Sequence, residues 1–77
     1  MSPYGNKPDL SNSVRTHREK MGLTQEELAG ITNLSRQSII AIEKGRFTPS
    51  IHTALMLAAA LGTNIEELFR LEKEDEE

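Results

Sequence analysis

Residues 24–44 read TQEELAGITNLSRQSIIAIEK, and the reading of this stretch decides the fold. Thr24 followed three residues later by Glu27 fits a capping box, in which the hydroxyl accepts from the third helical N–H and the carboxylate reaches back to the cap. A helix therefore starts at Gln25 and carries Leu28, Ala29 and Ile31 inward. It cannot run far. Thr32-Asn33-Leu34 leads into Ser35, a second good cap, and Asn33 tolerates the left-handed backbone that a sharp turn needs. Another helix covers about Arg36 to Lys44, and Gly45 closes it. The outcome is a short helix, a tight turn and a second short helix.

Working outward toward the N-terminus, Leu10, Val14, His17/Arg18 and Met21 recur at helical spacing, with Ser11 or Asn12 available as cap and Gly22 as the stop. Residues 1–10, with Pro3, Gly5 and Pro8, read as an N-terminal arm. Toward the C-terminus, Gly45 to Pro49 form a loop and Ser50 caps a fourth helix, whose inward set is Ala54, Leu57, Ala58 and Leu61. Asn64 with Glu67 starts a fifth, expected from Ile65 to about Leu71, with Ile65 and Leu68 facing in. No stretch alternates with period two. The expected fold class is all-α, a compact five-helix domain over residues 11–71, followed by an acidic tail over residues 72–77.

A chain of 77 residues has room for one domain, which argues against a self-contained enzyme with a separate substrate cleft. Without cysteine there is no disulfide framework, thiolate metal site or catalytic thiol. The longest apolar run, Ala54 to Leu61, is too short to span a bilayer, and MSPYGNKPDL has no apolar stretch of signal-peptide length, so a cytoplasmic location without membrane attachment is expected. The net charge of −3 hides a division along the chain. Residues 72–77 (EKEDEE) hold five acids and one lysine, while within residues 12–46 six basic residues face four acids. The folded part is mildly basic, a balance that permits phosphate binding.

From Val14 to Phe69 the chain resembles the Xre-type helix-turn-helix family, the DNA-binding domains of phage Cro and repressor proteins and their bacterial and archaeal relatives. The residues that carry the resemblance are Arg15 and Arg18, Gly22 to Ala29 (GLTQEELA), Ser35 to Ile39 (SRQSI), Ile42 to Arg46 (IEKGR), Pro49-Ser50, Ala58, Leu61-Gly62 and Ile65 to Phe69 (IEELF), all in the family's order. The resemblance implies a sequence-specific, double-stranded-DNA-binding transcriptional regulator, a dimeric repressor that reads a two-fold operator through helix three in the major groove.

Helical geometry agrees with that use of helix three. At 100° per residue Ile39, Ile42 and Glu43 share one face, while Gln37, Ile40, Ala41 and Lys44 share the other and Arg36 lies at their flank. The first turn of a recognition helix reaches base edges, so Arg36 and Gln37 are the expected base readers, suited to guanine and adenine respectively. Ile40 offers a methyl contact to thymine, and Ala41 stands where many phage repressors have a long polar side chain. In the family the residue matched by Gln25 bonds the DNA backbone; Ser35, Lys44, Arg46 and Arg15 are further phosphate candidates. The resemblance also pairs Arg18 with Glu43 in a structural ion pair. For a homodimer interface, Leu55, Met56 and Ala59 on the outer side of helix four and Phe69 and Leu71 from helix five supply apolar surface. His17 and His52 lack partners at ligand spacing, so no metal, cofactor or small-molecule ligand is expected. The rival reading is a protein-interaction module of the same fold, either an antitoxin of a toxin–antitoxin pair or a coactivator-like bridge.

Overall fold

The computed structural model describes residues 9–72. The elements run β1 (Leu10–Asn12), α1 (Val14–Lys20), α2 (Gln25–Thr32), α3 (Arg36–Glu43), α4 (Ile51–Ala60), α5 (Ile65–Leu68) and β2 (Phe69–Leu71). The domain is mostly helical, and the all-α expectation needs one correction. β1 and β2 form a two-stranded antiparallel sheet, with Leu10 opposite Leu71, Ser11 opposite Arg70 and Asn12 opposite Phe69. Strands of three residues are too short to print a period-two pattern, so nothing in the sequence marked them.

That sheet also moves two helix ends. Leu10 belongs to β1 and α1 begins only at Val14, with Ser13 as its N-cap residue. Ser13 makes no side-chain cap bond there; Asn12 Oδ1 accepts from the Val14 N–H instead, at 3.1 Å. At the other end α5 stops at Leu68, and Phe69 and Leu71 lie on β2 rather than on a longer helix five. The Ser13 N–H donates to Leu68 O at 2.9 Å and the Glu72 N–H to Asp9 O at 2.8 Å, which continues the pairing at both ends of the ladder. Leu10, the last residue expected in the arm, is thus paired, while residues 1–8 and 73–77 of the expected arm and tail lie outside the described residues.

α2 starts as its sequence demands. Thr24 Oγ1 accepts from the Glu27 N–H at 3.0 Å and Glu27 Oε1 from the Thr24 N–H at 2.9 Å. Asn33 takes φ 58°, ψ 34°, and the Leu34 N–H reaches back to Ala29 O at 2.9 Å, so the left-handed residue turns the chain into α3. Leu28, Ala29 and Thr32 form the buried stripe of α2. Ile31 does not point inward as expected: it is 59% exposed, because it lies roughly 100° around the helix from the centre of that stripe. Thr32 takes the inner position, its hydroxyl satisfied by Leu28 O at 2.8 Å. The core comprises Val14, Leu28, Ala29, Ile39, Ile42, Leu57, Ala58, Leu61 and Leu68, with Leu23, Leu34, Ala60 and Phe69 packed against it.

Candidate nucleic-acid interface

α3 is anchored on one side and open on the other. Ile39 and Ile42 are buried in the core, which fixes the rotation of the helix. Ser35 caps it, its Oγ accepting from the Ser38 N–H at 3.0 Å while its own O–H donates to Ser38 Oγ at 3.1 Å. Arg36 and Gln37 follow in the first turn, both exposed. Ile40 and Ala41 are half-buried, so Ile40 presents only part of its side chain. Gly45, at φ 75°, ends the segment, and its N–H donates to Ile42 O at 3.0 Å. Lys44 and Arg46 are exposed just beyond the helix.

The last turn of α3 is pinned by a charged cluster. Arg18 Nε donates to Glu43 Oε2 at 2.7 Å, Nη2 to Oε1 at 3.3 Å, and Nη1 to Leu23 O at 2.8 Å. The hydrogen bond to Glu43, and then its charge, raise the guanidinium above its ordinary pKa against the opposing effect of burial. Glu43 Oε1 also accepts from Gln25 Nε2 at 3.1 Å. One oxygen therefore orients the amide at the start of α2, and a single carboxylate ties α1, α2 and α3 together.

Around this cluster Arg15, Arg18, Gln25, Ile40, Glu43 and Lys44 line one open hollow of about 340 Å³. Three of the expected phosphate contacts, Gln25, Arg15 and Lys44, come together there. Arg15 is not free in the hollow: its Nε pairs with Glu19 Oε2 at 3.0 Å, though both side chains are mostly exposed and such a pair is worth only about 0–1 kcal/mol.

The expected dimer residues divide between two flanks of α4. Met56 and Ala59 line a shallow apolar hollow with Ile31 and Ala60, next to the α2–α3 turn. Phe69 lines another with Leu10, Pro49, Ile51, Ala54 and Ile65. Leu55 and Leu71 are exposed, with Leu55 one turn along α4 from Ile51, itself exposed. Leu10 and Ile51, which the sequence reading left out of this surface, are the additions; exposed apolar residues one turn apart beside a helix cap were the available signal.

Asn12 was legible only as a possible cap, yet its Nδ2 also donates to Ile42 O at 2.9 Å. Nothing local in the sequence announces a contact across 30 residues. His52 is exposed, whereas His17 is half-buried and its Nδ1–H donates to Ser13 O at 2.9 Å. Among the described residues, no three His, Cys, Asp or Glu side chains are placed to hold a metal ion, and no helix is long and apolar enough to cross a membrane.

A family model described as "Helix-turn-helix" matches residues 14–68. An uncharacterised HTH-type transcriptional regulator of Methanothermobacter thermautotrophicus is 50% identical over 62 residues, covering 79% of this chain and 90% of that protein. The control protein C.SmaI of Serratia marcescens is 36% identical over 59 residues, covering 77% of this chain and 70% of its own. Among solved structures, the restriction-modification controller protein C.AhdI of Aeromonas hydrophila superposes with a TM-score of 0.67 at 35% identity, covering 70% of this chain and 82% of that one.

Proposed function

We propose that this chain, which belongs to the helix-turn-helix family of transcriptional regulators, is a dimeric repressor that reads a two-fold operator through α3. The observation that carries the reading is the pairing of opposite faces on α3. Ile39 and Ile42 are sealed in the core, while Arg36 and Gln37 are exposed in the capped first turn. A helix held this way enters the major groove with its N-terminal residues toward base edges. Arg36 takes guanine O6/N7 and Gln37 adenine N6/N7, with Ile40 and Ala41 giving a short apolar contact behind them.

Backbone contacts hold that register. One N–H of the Gln25 amide is used on Glu43, and the second bonds a phosphate at the positive end of α2. Arg15 and Lys44, lining the same hollow, make it a single phosphate socket, and Arg46 and Ser35 contact neighbouring phosphates. Ser35 is the weakest member, since its O–H is already engaged with Ser38.

One recognition helix covers too few base pairs to select a site, so a second copy completes the reader. Apolar surface from Leu10, Ile51, Leu55, Phe69 and Leu71 is the face for that copy, placing two α3 helices about 34 Å apart, one DNA turn. Met56 and Ala59 belong to the other flank of α4 and are left over by this arrangement; that apolar hollow with Ile31 favours the second reading, a module that also docks a partner protein. In vitro selection of DNA sites tests the first reading. A two-fold consensus supports it, and failure to enrich any sequence refutes it.

A further inference from the structure

Asn12 uses both ends of its side-chain amide. Oδ1 accepts from the Val14 N–H at 3.1 Å, at the start of α1, and Nδ2 donates to Ile42 O at 2.9 Å, in the last turn of α3. In the β1–β2 ladder Asn12 stands opposite Phe69, and Leu10 opposite Leu71. Opposed residues share a face of an antiparallel pair and so do residues two apart, which puts these four on one face. One end of β1 thus lies in the surface proposed for the second copy, and the other end is bonded to the recognition helix about 7 Å away.

The two pins on the last turn of α3 hold it to different things. Arg18 and Gln25 tie Glu43 to α1 and α2, which belong to the DNA-contacting half. Asn12 ties Ile42 to the sheet. We propose that Asn12 is a positioning residue that fixes the angle of α3 relative to the dimer surface, and so sets the half-site spacing the protein accepts; this rests on the dimeric-operator reading. The lever is long enough to matter. α3 has 8 residues and is about 12 Å long, so a pivot of about 10° at its pinned last turn displaces its first turn by roughly 2 Å, more than half the ~3.4 Å rise of one base pair.

Two substitutions separate this role from the cap. Asn12→Asp keeps the acceptor for Val14 and sets an oxygen against the Ile42 carbonyl; Asn12→Ser keeps a short acceptor and cannot reach Ile42. Each is compared with the parent on the selected two-fold site, on sites with one base pair added to or removed from the spacer, and on a single half-site in an Ile51→Glu background, Ile51 being exposed on the proposed dimer surface. The parent is expected to prefer its own spacing by about tenfold or more, and both variants to lower that preference to about threefold or less while half-site affinity stays within about twofold. Equal losses on half-site and full site would mean that Asn12 only supports the fold, and an unchanged spacing preference would mean that it positions nothing; either overturns the proposal. Sedimentation of the parent distinguishes the two failures: a dimer whose variants behave like the parent refutes the role of Asn12 alone, whereas a monomer, free and on its site, refutes the dimer reading and the positioning role with it.

Discussion

Replacing Arg18 with leucine removes the guanidinium and leaves Glu43 behind. The two side chains are only 10% and 4% exposed, so water cannot replace the lost partner. Three contacts go at once, two to the carboxylate and one to Leu23 O. Removing one member of a buried pair costs about 3–5 kcal/mol, chiefly because the remaining charge stays desolvated without its partner. At about 0.05–0.15 kcal/mol per residue, a domain of this length has roughly 4–12 kcal/mol in total, so the variant is expected to lose about a quarter or more of its stability. Urea unfolding followed by far-ultraviolet circular dichroism measures the loss, and the melting temperature should fall by about 12 °C or more. The double variant Arg18→Leu, Glu43→Met removes both charges and should recover at least about 2 kcal/mol of the deficit. A single variant that loses under about 1 kcal/mol, or a double variant no better than the single, would refute the account of an unpaired charge. The raised pKa of Arg18 fixes the sign of the pH dependence: the stabilisation is complete below the ordinary arginine value and is lost only as pH rises through the higher folded value. Between about pH 5 and 9 Arg18 should therefore contribute no slope to the stability profile.

Arg36→Ala and Gln37→Ala should each cost about 1–3 kcal/mol of affinity for the selected site and relax selection at one base position, with unfolding curves unchanged. Selection profiles matching the parent would remove both from the reading set. Lys44→Ala or Arg46→Ala should weaken binding to all sequences alike and lower the salt slope by about one unit per lost phosphate, read from binding isotherms at several salt concentrations. In sedimentation, Ile51→Glu should give a folded monomer while Met56→Lys should not, since the two side chains lie on different flanks of α4; the reverse result would move the dimer face to the Met56 hollow. Asn33→Val should cost about 1–2 kcal/mol of stability through its left-handed backbone, and Asn33→Gly should cost far less.

The central helices were legible because their signals are local. Thr24 with Glu27, Asn33, Ser35 and Ser50 each act within a few residues, and each is seen at its expected task in the structure. The inward set of α4 was legible for a related reason, since its period of three and four repeats over enough turns to exclude other choices. Ile31 was misread because periodicity around Leu28 and Ala29 leaves two flanks open, and the neighbouring elements chose the one occupied by Thr32. The sheet and the shortened α5 were hidden because their cause is pairing between chain segments 59 residues apart, which leaves no mark within either segment. Of the candidate interface, exposure of Arg36 and Gln37 and the Arg18–Glu43 pair could be anticipated. The Gln25–Glu43 bond and the Asn12–Ile42 bond depend on how three separate elements converge, and only coordinates supply that.

β1 and β2 also determine how the domain can be joined to anything else. Asp9 and Glu72 flank the two strands, and their backbones are hydrogen-bonded at 2.8 Å. Opposed residues of an antiparallel ladder have Cα atoms only about 4.5–5.5 Å apart, a gap that a very short linker closes. The unit is therefore suited to circular permutation, with new ends opened in the exposed segment around Phe47 and Thr48 after α3. By the same geometry it can be inserted whole into a surface loop of a host protein without prising the host's strands or helices apart. Cargo fused directly to Asp9 or Glu72 is held beside Leu10 and Leu71, so its size becomes a direct handle on self-association, one that leaves the side chains of α3 untouched.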